Sequence, residues 1–206
     1  MSDIINNLIS GAFVSLKIFI ITAVVSLILG LILALLSRKK MLSKILNIYT
    51  LFFRGTPLMM QLILIMYGLP QLGIYVDRLL VAYIGFILNY TAYFIEIFKS
   101  GISSVDSEQI DAARAYGANE FQVASYIIIP QAFKLQLPVV SNELINLIKD
   151  TSIVTVIAVS DILRIVKEMV SNTFTLTPFL ISTLFYLVIS FIIVKTLKLV
   201  DKKIFN

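Results

Sequence analysis

Apolar residues run along this chain in long blocks, separated by short polar stretches. Neither the two-residue alternation of a half-buried strand nor the narrow stripe of a soluble helix dominates. A block needs about 20 mostly apolar residues to cross a bilayer as a helix. Five blocks meet that length. They predict spans over residues 11–36, 49–69, 79–98, a fourth from Pro138 or a few residues earlier to about Ser160, and 178–199. The first is long enough to tilt, and Pro57 falls near the start of the second. Residues 121–129 are apolar but too short to span, and are expected at the interface or entering the bundle beneath the fourth span. No linker, low-complexity tract or internal repeat divides residues 1–206, so one transmembrane domain is expected.

One polar stretch, 105–118, reads differently. Ser107 to Tyr116 has helix-forming composition, with Ser107 as a start signal and Gly117 as a stop. A short capped helix between spans, in a loop of about 100–134, reads either as an element that docks on a soluble partner or as an amphipathic surface helix with no partner. Ala112, Ala113 and Ala115 make it narrow. Asp111 and Arg114, three residues apart, share a face and can pair locally or meet a partner's charges.

Composition supports the membrane reading: 59% of the 206 residues are hydrophobic and only 14% charged, more apolar surface than a soluble domain can hide. The chain has no Cys, His or Trp, which excludes His/Cys zinc sites, Ser-His-Asp triads and Cys nucleophiles. No metal or directly bound cofactor is expected. The net charge of +5 sits beside the spans, so it reads as a topology signal rather than as nucleic-acid binding. Arg38, Lys39, Lys40, Lys44 and Arg54, then Lys99, Arg114 and Lys134, then Lys195, Lys198, Lys202 and Lys203 lie on one side; Lys17, Arg78, Arg164 and Lys167 lie on the other. Lys/Arg excess marks the cytoplasmic side. The expected topology has the N-terminus outside, with the 105–118 loop and the C-terminus inside. The N-terminal stretch lacks a basic region, and the apolar block after it is too long for a cleaved signal, so it is expected to be retained.

Glu108-Gln109-Ile110-Asp111-Ala112-Ala113-Arg114-Ala115-Tyr116-Gly117-Ala118 resembles the cytoplasmic "EAA" loop of ABC-importer permeases. Asp111 stands in the usual Glu place, and Glu108 where Gly is common. Phe53 to Leu58, Ala92 to Ile97, Ile129 to Ala132, Leu137-Pro138, Lys149 to Ile153 and Val156 to Val159 resemble the polar amino-acid branch, in the same order. The resemblance implies an all-α type I importer permease of five spans, in the plasma membrane of a prokaryote. It implies that Ser107, Glu108, Asp111 to Ala115, Tyr116 and Gly117 sit in a groove of an ATP-hydrolysing subunit. Two permeases, identical or similar, would pair with two such subunits, and an extracellular binding protein would deliver a polar amino acid. The chain has no phosphate loop of its own, so ATP and its magnesium would belong to the partner and this chain would not be the enzyme.

Ionisable residues inside a span are functional candidates. Asn142, Glu143, Asn146, Lys149 and Asp150 follow one helix face; so do Asn89, Tyr93 and Glu96. Both stripes are expected to face the bundle interior. Lys149, Asp150, Thr151 and Ser152 together offer a cation, an anion and two hydroxyls to a zwitterion. Lys149 could instead pair with Glu143 or Asp150, and Glu96 with Lys99 or Arg54. Tyr93 lines a pocket or packs. Gln61 lines the pathway or hydrogen-bonds between helices. Arg54, expected at the cytoplasmic start of the second span, anchors the interface or takes part in gating. The competing functions are a stand-alone channel or secondary transporter, which the lack of internal symmetry disfavours, and a membrane enzyme using Glu143 and Asp150, for which no second motif exists.

Overall fold

The structure is a computed structural model that describes residues 2–204, with side chains over 6–203. The described residues are almost wholly helical. Among the described residues, four helical runs are long and apolar enough to cross a membrane, and a bent helix pair meets the same length and composition if taken as one span.

The long helices α1 (Ser2–Leu36) and α4 (Arg78–Ser103) run parallel. Ser26 Oγ donates to the Ile87 carbonyl at 3.3 Å, and further along both helices Gly30 lies against Phe94. Small residues at this crossing let two backbones approach, as is usual where apolar lipid offers no drive for helices to associate. Helix α4 is the centre of the bundle: Phe86, Tyr90, Phe94 and Phe98 recur every turn and are fully or almost fully buried.

Because α1 and α4 are parallel, the chain between them must return. It does so in two pieces, α2 (Lys40–Gly55) and α3 (Leu58–Gln71), bent by 100°. The second span is therefore not the single helix expected over 49–69. The cause is local. Pro57 lacks an N–H and disfavours helical geometry in the residue before it; Thr56 is extended, with φ −120° and ψ 145°.

The fourth crossing is one helical run, Glu120–Ile157, in several geometries. An Asn119/Gln122 capping box opens α6 (Glu120–Val123), a π-helical turn covers Ala124–Ile128, and α7 (Ile129–Asp150) follows. A 3₁₀ segment, Thr151–Ile157, completes it. Residues 121–129 thus lead directly into the span, and Pro138 lies inside α7 rather than at its start. Helix α7 is antiparallel to α4: Gly101 packs on Ala132 and Gln136 at one end, and Tyr90 meets Asp150 further along.

A helix absent from the expected elements, α8 (Ile162–Thr173), follows. Asp161 caps it, accepting from the Leu163 and Arg164 amides at 3.0 and 3.1 Å and from Thr155 Oγ1 at 2.7 Å. Burial pushes the Asp161 carboxyl up from its ordinary range, and these hydrogen bonds act in the opposite direction. Helix α9 (Thr177–Ile204) closes the bundle.

The polar loop forms α5 (Ser107–Ala115), near the ends of α1 and α4. Its start is one residue earlier than expected: the Asp106 carboxylate caps it by accepting from the Glu108 amide at 2.9 Å, and Ser107 is already helical. Gly117 ends it as expected. Its φ of +87° is one that glycine adopts without steric cost, and the Gly117 and Ala118 amides return to the Arg114 and Ala113 carbonyls.

Candidate functional site

The break between α2 and α3 lies beside the middle of α4. The last turn of a helix leaves carbonyls without partners, and inside an apolar bundle these are costly. Two side-chain amides satisfy them. Gln61 Nε2 donates to the Phe53 carbonyl at 2.9 Å and to the Thr56 carbonyl and Oγ1 at 3.1 and 2.8 Å. Asn89 Nδ2 donates to the same Phe53 carbonyl at 2.9 Å and to Gln61 Oε1 at 3.0 Å. Gln61 therefore takes the helix-bonding role and does not line the polar cavity; Asn89 does both.

That cavity, of about 640 Å³, has the break (Arg54 to Leu58) on one wall. Asn89, Tyr90 and Tyr93 of α4 and Glu143, Asn146, Lys149 and Asp150 of α7 form the others. The two sequence stripes are thus brought together. Tyr90 Oη, almost wholly buried, donates to Asp150 Oδ2 at 2.7 Å. The Arg54 guanidinium stands 5.4 Å from the centre of the Tyr93 ring and 3.8 Å from Glu96. Glu96 also meets Lys99 at 3.0 Å, and Lys99 reaches Asn47 at 2.8 Å.

Three expectations need correction. Arg54 does not open a span; it lies in the last turn of α2, just before the break, and lines the cavity beside Tyr93. Lys149 makes no ion pair within 4 Å among the described residues, and it is exposed on the open side of the cavity. Thr151 and Ser152 do not line the cavity. The chain tightens to 3₁₀ after Asp150, and their hydroxyls turn back to the Ile148 and Lys149 carbonyls at 2.7 and 2.8 Å.

A second region surrounds α5, which buries none of its residues. Arg114 is held between Asp111 at 3.3 Å and Glu120 at 2.8 Å, and Glu120 also lies 3.9 Å from Arg38 at the end of α1. Gln131 at the start of α7 donates to Gln109 of α5 at 2.8 Å. Three aromatic rings stand out here: Tyr116 is 94% exposed, Phe121 77% and Tyr126 78%. Tyr116 and Tyr126 border a groove of about 320 Å³ floored by Gly117 and Ala118. Neither Phe121 nor Tyr126 was singled out in the sequence; an aromatic in or just after a short polar helix was the available signal.

A helical bundle with one broken crossing, a polar cavity at the break and a projecting polar helix at one end defines a membrane transport domain. The family of the binding-protein-dependent transport system inner membrane component matches residues 26–206, and the chain belongs to it. It is 37% identical over 201 residues to the arginine transport system permease protein ArtQ of Bacillus subtilis (strain 168), covering 96% of this chain and 92% of that one. The histidine/lysine/arginine/ornithine transport system permease protein HisM of Escherichia coli (strain K12) is 31% identical, covering 94% and 87%. Among solved structures, a chain from the crystal structure of an amino acid ABC transporter with histidines superposes with a TM-score of 0.87 at 32% identity, covering 99% and 97%. A chain of the MetNI methionine ABC transporter, in an inward facing conformation, shares the fold (TM-score 0.84, 15% identity, both chains wholly covered). The expected all-helical permease fold of type I ABC importers is the fold observed.

Proposed function

We propose that this chain is the membrane subunit of an ATP-driven importer and forms the pathway for a polar amino acid. Asp150 carries the reading. Its carboxylate is half-buried, accepts from Tyr90, opens onto the cavity and has no cation within 4 Å among the described residues. An ionised group held that way costs free energy unless a ligand completes it. An amino-acid ammonium fits. Its carboxylate would meet Arg54 and the start of α3, which has no side-chain cap. Glu143 faces the same space and favours a polar or cationic side chain. The names of ArtQ and HisM point the same way.

The α5 end is the cytoplasmic one, by its excess of Lys and Arg. The exposed aromatics there form the surface for an ATP-binding cassette subunit, which brings ATP and magnesium. The open side of the cavity, with Asn146 and Lys149 exposed, faces a second permease, a copy or a similar chain. A binding protein docks at the opposite end, where 68–78 and 161–177 lie. A stand-alone carrier has no use for three exposed aromatics on a projecting loop. The test is purification of the tagged chain from its native membranes in mild detergent. An ATPase should co-purify in equal amount, and its hydrolysis should respond to substrate. Purification alone, with uptake into vesicles that lack ATP, would establish the carrier instead.

A further inference from the structure

We propose that Gln61 and Asn89 are positioning residues whose paired amides fix the α2–α3 break and so set where Arg54 stands in the cavity. The pair is 4% exposed at both positions and joins three helices. Its orientation is forced. The Phe53 and Thr56 carbonyls only accept, so only amide nitrogens can face them. Both hydrogens of Asn89 Nδ2 are used, one on the Phe53 carbonyl and one on Gln61 Oε1. The two hydrogens of Gln61 Nε2 are shared among three acceptors. Neither amide retains a donor for a ligand, although Asn89 borders the cavity.

The Phe53 carbonyl receives a bond from each residue. It belongs to the planar peptide that also contains the Arg54 N–H. Two donors on that oxygen therefore fix the plane from which the Arg54 side chain departs, opposite Asp150 and Glu143. Without them the break would keep its extended Thr56 but lose its orientation against α4.

The transport readout rests on the pocket proposed above; a second readout does not. The chain has no Cys, and a side chain at Gly55 would meet nothing within 4 Å. A Gly55→Cys reporter in the intact complex, modified by a water-soluble thiol reagent, reports the position of the break directly. Gln61→Met and Asn89→Leu should each change its labelling rate by about tenfold, the effect of removing donors from a buried acceptor. Each should raise the KM for arginine uptake by a similar factor, with kcat within about twofold. The exchange Gln61→Asn with Asn89→Gln keeps both amides and the combined reach, and serves where the apolar variants fail to assemble. It should restore labelling and KM beyond what its two single variants show. Unchanged labelling in the apolar variants, or an exchange no better than the product of its singles, overturns the proposal. Altered labelling with an unchanged arginine KM supports the clamp and counts against the pocket reading.

Discussion

Replacing Gly30 with alanine should damage the bundle more than the same change at any glycine of the loops. A Cβ at position 30 would stand 2.4 Å from Phe94 Cβ, 3.1 Å from the Phe94 carbonyl carbon and 3.2 Å from the Ile95 nitrogen. Non-bonded carbons prefer roughly 3.5–4.0 Å, so α1 and α4 must part by about 1 Å. Phe94 cannot retreat: it is fully buried, and the nearest atom is anchored to the backbone. Overpacking of this kind costs about 1–3 kcal/mol. Two other glycines supply the scale. At Gly85 the nearest atom, at 2.5 Å, is a terminal methyl of Leu62, which a rotamer change can move. At Gly55 nothing lies within 4 Å. The thermal midpoint of the purified complex, read as the fraction surviving heating on size-exclusion chromatography, should fall in the order Gly30→Ala, then Gly85→Ala, with Gly55→Ala near wild type. Equal midpoints for Gly30→Ala and Gly55→Ala would refute the close α1–α4 crossing.

Variants at the α8 cap and around α5 have equally specific outcomes. Asp161→Ala should lower stability by about 1–3 kcal/mol, because it strands three donors around a buried cap, whereas Asp161→Asn should lose far less, since Asn also caps helices; the same heating assay decides. Gly117→Val places a β-branched residue at φ +87°, so it should reduce the ATPase recovered with the complex, and Gly117→Asn should reduce it less. Arg114→Glu sets three like charges together with Asp111 and Glu120. It should weaken ATPase recovery at low salt and less at high salt, with added Glu120→Arg recovering part of the loss.

What the sequence revealed depended on how local the cause was. Helix α5 could be read because its cap, its alanines and Gly117 act within one short segment. The α7 stripe could be read because helical spacing alone puts Glu143, Asn146, Lys149 and Asp150 on one face. That spacing misled at Thr151 and Ser152, where the helix tightens. Pro57 marked the break, but its placement beside α4 depends on Gln61 and Asn89, which lie 28 residues apart. A straight second span therefore put Arg54 at its start rather than in the last turn before the break, where it lines the cavity. Helix α8 carries a local signature too, Asp161 as a cap and Ile162, Ile165, Val166 and Met169 at helical spacing, but at 12 residues it is too short to stand out as a span.

In the proposed function the cavity around Asp150 binds the transported molecule and is linked to ATP hydrolysis by a partner. Its most direct test is ATP hydrolysis by the reconstituted complex carrying Asp150→Asn, stimulated by whichever of arginine, histidine and glutamine stimulates the wild-type complex most. The side chain keeps its shape and its bond from Tyr90 but loses its charge. The complex should assemble with basal hydrolysis intact and with stimulation reduced about tenfold or more, the scale of one charged hydrogen bond. Full stimulation and full uptake by this variant would contradict that proposal.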